Sequence, residues 1–285
     1  MPEGPEVQTV VSTLEKQIKG NSIIGIQITY PRIIENEDKQ FFIDHLIGNQ
    51  FVDFKRHGKF LILQLRKGYL IVHLRMEGKF FIDTNDDLDK HTHVIFELND
   101  GRFLKYHDVR KFGRLTYVDE LTIHPGLNKL GLDVLDSKLT KSVLFNRLKN
   151  RTIPIKQALL DQSIVSGIGN IYANEICFDA KIHPITPCYE LSSYQVDKIL
   201  KSSKKIIKEA IAMGGTTIRS YTSSLNVHGL FDQKLMVHQQ SQCKLCLSDI
   251  EKIFINKRGT YFCPKCQKRK KSPSQAQSLQ ENHQS

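Results

Sequence analysis

Cys243-Lys244-Leu245-Cys246, followed sixteen residues later by Cys263-Pro264-Lys265-Cys266, decides how the C-terminal part of this chain folds. Two C-x2-C pairs at this separation form the ligand set of a structural zinc ribbon, because each pair can turn both thiolates toward one ion. The intervening residues Leu247 to Phe262 are long enough for a two-stranded hairpin that joins the pairs. Within them, Ile253-Phe254-Ile255 and Thr260-Tyr261-Phe262 are apolar arms around the basic, glycine-containing turn Asn256-Lys257-Arg258-Gly259. Four thiolates close a tetrahedral shell, so the predicted zinc is scaffolding, and the hairpin carries Lys257 and Arg258 at its tip. Two disulfides would be the alternative use of four cysteines, but the spacing favours the metal.

Working outward, the charge balance points to a polyanionic partner. The 285-residue chain has 41 Lys+Arg against 30 Asp+Glu, a net charge of +11. A balance of this sign and size favours nucleic acid or an acidic surface without specifying a fold. Between Lys141 and Leu160 there are five cations (Lys141, Arg147, Lys149, Arg151, Lys156) and no acid; from Cys243 onward nine Lys/Arg face three acids. Such runs are often only solvated faces, but beside a ribbon of this kind they read as phosphate contacts. Neither a signal peptide nor a membrane span is evident, so a reducing cytoplasm is expected, with Cys177 and Cys188 as ordinary thiols.

The remaining chain divides by periodicity. Val7, Val10, Val11, Leu14 and Ile18 share one helical face, with Pro5 in the first turn and Gly20 closing it. Eight strand-like segments follow: 22–30, 51–56, 59–66, 69–75, 79–82, 93–98, 102–107 and 114–118. Short strands separated by turn signals predict a β-sandwich over about residues 2–130. The pattern then becomes helical. Its clearest stretch, Ser192–Met213, has Val196, Ile199, Leu200, Ser203, Ile206, Ile207, Ala210 and Ile211 as an inner stripe. Ser166-Gly167-Ile168-Gly169-Asn170 is too glycine-rich to lie inside a helix, and the polar tail after Lys268 has too little apolar content to fold.

Pro2 and Glu3 suggest chemistry. Loss of Met1 would leave Pro2 as a secondary amine, able to attack a carbonyl-like carbon and hold it as an iminium. The positive end of the following helix disfavours an ammonium there and keeps the amine nucleophilic. The same residues could equally be a plain helix start, and by themselves they do not decide between the two.

Seven motifs in order resemble the formamidopyrimidine-DNA glycosylase family, over nearly the full length to about Lys268. They are Pro2-Glu3-x-Pro5-Glu6-Val7, Gly58-Lys59-Phe60-Leu61, His73-Leu74-Arg75-Met76-x-Gly78, Asp108-Val109-Arg110-Lys111-Phe112-Gly113, Gly167-Ile168-Gly169-Asn170-Ile171-Tyr172, Gly214-Gly215-Thr216-Thr217-Ile218-Arg219 and the ribbon Arg258-Gly259-Thr260-Tyr261-Phe262-Cys263-Pro264. The resemblance implies a bifunctional glycosylase and abasic-site lyase acting on oxidised purines in duplex DNA, with β- and δ-elimination and one structural zinc per monomer. It implies an α+β multidomain chain: a β-sandwich at 2–133, a helix–two-turn–helix domain at 134–235, the ribbon at 236–268 and a disordered tail at 269–285.

Roles carried by the resemblance fall on residues whose chemistry allows them. Pro2 is the nucleophile, Glu3 moves protons at the sugar, Glu6 supports the site, Lys59 assists base loss, and Arg258 assists elimination and contacts phosphate. Met76, Arg110 and Phe112 form the wedge that replaces a flipped base. His73, His91, Arg151, Lys156 and Asn170 match further DNA-contact positions, although His93 lies too close to His91 for sequence to separate them. Thr216, Thr217, Arg219 and Tyr221 form the lesion loop. Gly4, Gln8 and Val109 depart from the family pattern, and Gly4 also occurs in the related enzymes for oxidised pyrimidines. A DNA-binding ribbon protein without catalysis remains the alternative if Pro2 never becomes an amine.

Overall fold

The computed structural model describes residues 1–216 and 229–269. The described residues divide into two compact units. The first draws on Met1–Thr140, Leu159–Gly169 and Ser203–Lys234; the second draws on Lys141–Ala158, Asn170–Ser202 and Leu235–Ser285.

The first unit begins with helix α1 (Gly4–Ile18). The predicted stripe Val7, Val10, Val11, Leu14 and Ile18 is buried in full. Eight strands follow: β1 (Ile23–Ile28), β2 (Phe51–His57), β3 (Phe60–Leu65), β4 (Tyr69–His73), β5 (Lys79–Asp83), β6 (Thr92–Leu98), β7 (Phe103–His107) and β8 (Arg114–Val118). They form two four-stranded antiparallel sheets, ordered β1-β6-β7-β5 and β2-β3-β4-β8. Phe54, Leu61, Leu63 and Leu70 from one sheet share a core cluster with Val94, Phe96, Leu104 and Tyr106 from the other. Burial of both inner faces in one cluster is what makes the pair a sandwich.

The chain changes sheet twice in a way that matters below. Residues 74–78 carry it from β4 to β5, and residues 108–113 carry it back from β7 to β8. At one end of these crossovers His73 pairs with Arg114. At the other, Lys79 pairs with His107. The two connections therefore leave one sheet as neighbours and enter the other as neighbours.

Two short helices of this unit, α2 (Lys39–Leu46) and α3 (Pro125–Asn128), were not evident from the sequence. In α2 only Phe42 and Leu46 are buried, which is too few apolar positions to show a helical period. Asp38 caps it by accepting from the amide of Gln40 at 2.8 Å.

The second unit holds α4 (Lys141–Leu148), most of α5 (Ile155–Leu160), α6 (Asn170–Asp179), and the hairpin β9 (Glu251–Ile255) and β10 (Arg258–Phe262). Helix α7 (Ser193–Ala212) agrees with the predicted stretch to within a residue at each end. Its stripe is buried as expected, except that Ile211 is half-buried. Ser202 is buried as well, because its hydroxyl donates to Asp179 at 2.6 Å. The hairpin turn is tighter than expected. It is the two-residue Asn256-Lys257, both at positive φ (46° and 60°), with Arg258 already paired to Ile255. Two left-handed residues give the turn a twist that matches the strands. Gly259 therefore lies in β10, where it serves a different purpose. No helix among the described residues is long and apolar enough to cross a membrane.

Candidate active site and metal centre

The start of α1 is tied down from several sides. Glu3 and Glu6 are each only 4% exposed, and Pro2 is buried beside them. The Glu3 amide donates to Glu6 Oε2 at 2.9 Å, one arm of a capping box. The other oxygen, Oε1, accepts from the amide of Thr216 at 2.9 Å and from its hydroxyl at 3.1 Å. Thus Glu6 fixes the Gly214-Gly215-Thr216 turn against the helix start. A Cβ on Gly215 would meet Glu6 Oε1 at 2.6 Å, so the turn needs glycine there for closeness as well as for its φ of +83°.

The glycine-rich segment before Asn170 meets the same helix start. The Gly4 amide donates to the Gly167 carbonyl at 2.8 Å, and a Cβ on Gly4 would lie 2.7 Å from that oxygen. A Cβ on Gly169 would collide with the Glu3 side chain. Gly4, a departure from the family pattern, is therefore required by close backbone approach. On its other side Gly167 faces Arg56 and Asp133. Arg56 donates to both Asp133 oxygens, at 2.5 and 2.9 Å, and to the Gly58 carbonyl at 2.7 Å. Gly58 in turn donates to Asp133 at 3.1 Å. This bidentate pair fixes the Gly58-Lys59 turn, leaving Lys59 only 8% exposed. Neither Arg56 nor Asp133 was singled out from sequence, and nothing local links positions 77 apart.

The two crossovers carry the expected wedge residues. Phe112 is 47% exposed, and the Arg110 guanidinium stands 4.9 Å from its ring centroid. Met76 is half-buried. His73, at the end of β4, accepts from the Arg75 amide at 3.0 Å and meets Phe60 edge-on. Burial first, then the Arg75 and Lys59 charges, pull its pKa down to about 3, so it is a neutral imidazole at neutral pH. The two candidate histidines separate clearly. His93 is 2% exposed with Nε2 bound to the Asp108 carbonyl at 2.8 Å, whereas His91 is half-buried.

In the second unit Arg151 and Arg258 are exposed and Asn170 is half-buried at the first position of α6. Lys156 is 0% exposed. Its ammonium donates to Asn170 Oδ1 at 2.8 Å, to the Gly259 carbonyl at 2.9 Å and to Thr260 Oγ1 at 2.7 Å. Asn170 Nδ2 donates to the same Gly259 carbonyl at 3.2 Å. A buried ammonium is tolerable only with such a set of acceptors. One lysine thus joins the α6 start to the strand that carries Arg258.

The four ribbon cysteines bring their Sγ atoms within 4.8 Å of one another, and no other metal-binding group of this kind occurs among the described residues. Cys243–Cys266 and Cys246–Cys263 sulfur separations are 3.8 and 3.4 Å. A tetrahedron with Zn–S bonds of about 2.3 Å has edges of about 3.8 Å, so these residues fit a zinc ion. Hydrogen bonding from Ser248 draws the Cys246 thiol down to about 6, favouring the thiolate that a metal requires. Thr216 is buried in its turn; Thr217, Arg219 and Tyr221 of the expected lesion loop, and the tail beyond Arg269, lie outside the described residues.

A buried N-terminal acid pair, two adjacent crossover loops and a hairpin flanked by a four-cysteine cluster are the features to set against known proteins. Residues 1–115 match the family model described as the formamidopyrimidine-DNA glycosylase N-terminal domain, and residues 130–222 match that of its H2TH domain. The formamidopyrimidine-DNA glycosylase of an Exiguobacterium species is 42% identical over 94% of this chain and 100% of its own. The Listeria innocua enzyme of that name is 40% identical over the same shares. Among solved structures, the Lactococcus lactis protein bound to DNA containing an abasic site superposes with a TM-score of 0.88 at 35% identity, covering 94% of this chain and 100% of that one. The chain belongs to the formamidopyrimidine-DNA glycosylase family.

Proposed function

We infer that this chain removes oxidised purines, 8-oxoguanine and formamidopyrimidines, from double-stranded DNA and cuts the strand at the abasic site that results. The observation that carries this reading is the helix start at which Pro2, Glu3 and Glu6 are buried together, in a chain of this family. With Met1 removed, the Pro2 nitrogen has a lone pair for C1′ of the damaged nucleotide. Attack forms the N–C1′ bond, and the bond to the base breaks, the base leaving with its electron pair and gaining a proton. Glu3 moves the sugar's proton as the ring opens to the iminium. That electron sink acidifies C2′; loss of its proton expels the 3′ phosphate, and a second elimination expels the 5′ phosphate. Lys59 assists base loss, and Arg258 steadies a phosphate during elimination.

Before this chemistry the base must leave the stack, at a cost of a few kcal/mol. Phe112 enters between bases, Met76 fills the vacated space, and Arg110 supplies donors to the orphaned partner. This triplet supports purine lesions over pyrimidine ones. His91, His73, Arg151 and Asn170 are assigned to the DNA backbone. The cysteine cluster holds one Zn2+ as scaffolding, and the working divisions are 2–133, 134–235 and 236–268. The enzyme works in the cytoplasm and associates with the nucleoid through its DNA.

Borohydride reduction tests the nucleophile. The expected result is a covalent adduct with duplex DNA carrying 8-oxoguanine opposite cytosine, attached at the Pro2 peptide. An adduct on a Lys59 peptide, or undiminished trapping by N-terminally blocked protein, would overturn the assignment.

A further inference from the structure

We propose that Asp108 and Tyr106 are positioning residues for strand opening, setting the two wedge loops at a fixed separation so that Met76 and the Arg110/Phe112 pair enter the duplex as one tool. The inference rests on the reading of those three residues as the wedge, and it deepens that reading.

The two loops are the adjacent crossovers between the sheets, and each ends in a glycine, Gly78 and Gly113. The Tyr106 side chain, 0% exposed, points its hydroxyl at both. A Cβ on either glycine would collide with that oxygen. The hydroxyl has no hydrogen-bond partner among the described residues. An unpartnered buried hydroxyl costs stability. Its position therefore calls for a role other than bonding, and the geometry supplies one: it is a spacer between two backbones.

Asp108 does the complementary work. It is 0% exposed, and its two oxygens divide between two amides of the loop. Oδ1 accepts from Arg110 at 3.0 Å, and Oδ2 accepts from Gly113 at 2.7 Å. Between them Lys111 is held at a φ of +58°, which turns the loop so that Arg110, Lys111 and Phe112 all stand exposed. The turn is closed further by the Lys111 amide donating to the Asp108 carbonyl at 3.2 Å. The same carbonyl pairs with His93 Nε2 at 2.8 Å, which fastens the loop base to β6. On the other crossover the Gly78 amide closes onto the Leu74 carbonyl at 2.9 Å, shaping the turn that carries Met76. Both loops are thus internally closed, and their glycine ends meet at a single oxygen.

Asparagine at 108 keeps size but presents an NH2 where one backbone N–H now donates, so one of the two loop bonds is lost. The measurement compares two substrates. Excision of 8-oxoguanine opposite cytosine in duplex requires base extrusion, whereas cleavage at a preformed abasic site in single-stranded DNA does not. Asp108→Asn is expected to lose about tenfold on the duplex and about twofold at most on the single strand. Tyr106→Phe removes only the spacer oxygen, keeps the fold, and is expected to show the same selective loss at a few-fold level. A 2-aminopurine beside the lesion reports stack opening directly, and its fluorescence rise should slow in both variants. Parallel losses on both substrates, or no loss in either variant, would overturn the proposal. Phe112→Ala is the reference: if it too is unimpaired on duplex, the wedge reading itself has failed. If it alone is impaired, the wedge stands and the positioning roles fall.

Discussion

The sandwich and the ribbon fix functional side chains by opposite means. In the sandwich, α1 and both sheets contribute to one large apolar cluster, and the polar site at the start of α1 is built on that rigid base. In the ribbon the corresponding cluster has as its buried members only Phe178, Val237, Cys243 and Cys263, two of which are metal-ligand candidates. So small a core cannot hold a hairpin alone. The difference teaches that Glu3 and Lys59 stand on elements packed into the apolar core and are then fixed by polar contacts, while Arg258 stands on a hairpin held by the Lys156 contacts and by four cysteines placed to bind a metal ion.

The largest effect should come from breaking that asymmetry. Metal removal, or Cys263→Ser, forfeits on the order of 10 kcal/mol of local folding energy. Amide exchange should become fast across β9 and β10 while the core of β3, β4 and β6 stays protected. Equal loss of protection in both regions would show that the sandwich also depends on the ion.

A pair of phenylalanines sharpens the sandwich side. Phe96 is fully buried between the sheets, and Phe96→Ala should cost about 3–5 kcal/mol in denaturant unfolding. Phe112→Ala, at a half-exposed position, should leave the midpoint within about 0.5 kcal/mol. Similar losses for the two would place Phe112 in the core.

Lysines and arginines of the second unit divide the same way. Lys156→Met strands the acceptors it now serves and should cost about 3 kcal/mol, with little change in the salt dependence of DNA binding. Exposed Arg258→Ala and Arg151→Ala should leave stability alone and each reduce the slope of log K against log salt by roughly 0.9. A reduced slope in Lys156→Met would show that its ammonium reaches phosphate after all.

A smaller effect at neutral pH concerns His73. Its folded-state pKa, about 3, lies below the unfolded value of about 6.5, so the unfolded chain takes up the proton first. Stability should fall as pH drops from about 6.5 toward 3, and His73→Phe should flatten that acid limb. An unchanged limb would assign the acid sensitivity to His107, His124 and His183, whose pKa values burial also holds low.

Much of this was legible in the chain because it is written in local patterns. All eight strands of the sandwich fall where short apolar runs between turn signals put them, the stripes of α1 and α7 are buried apart from half-buried Ile211, and the cysteine spacing encodes the ribbon directly. What escaped depends on approaches between distant backbones. Gly4 and Gly167 are adjacent only once the fold exists, and Arg56 finds Asp133 for the same reason. Lys156 read as a cation of a basic run at a DNA-contact position, since its burial is decided by acceptors from β10. Asp108 appeared only as a letter in a motif, because its work is done on the amides of its own loop.

The Lys156 arrangement bears on how the protein is made. Two of the ammonium's acceptors lie 103 and 104 positions further along the chain. During synthesis, α5 and α6 are finished long before the ribosome delivers Gly259 and Thr260. The second unit therefore cannot complete its interior around Lys156 until the last cysteines have emerged and the ribbon has closed. A ribosome-bound chain stalled before residue 243 should carry a protected sandwich core and a protease-sensitive second unit. Release and metal uptake should then convert the latter in one step.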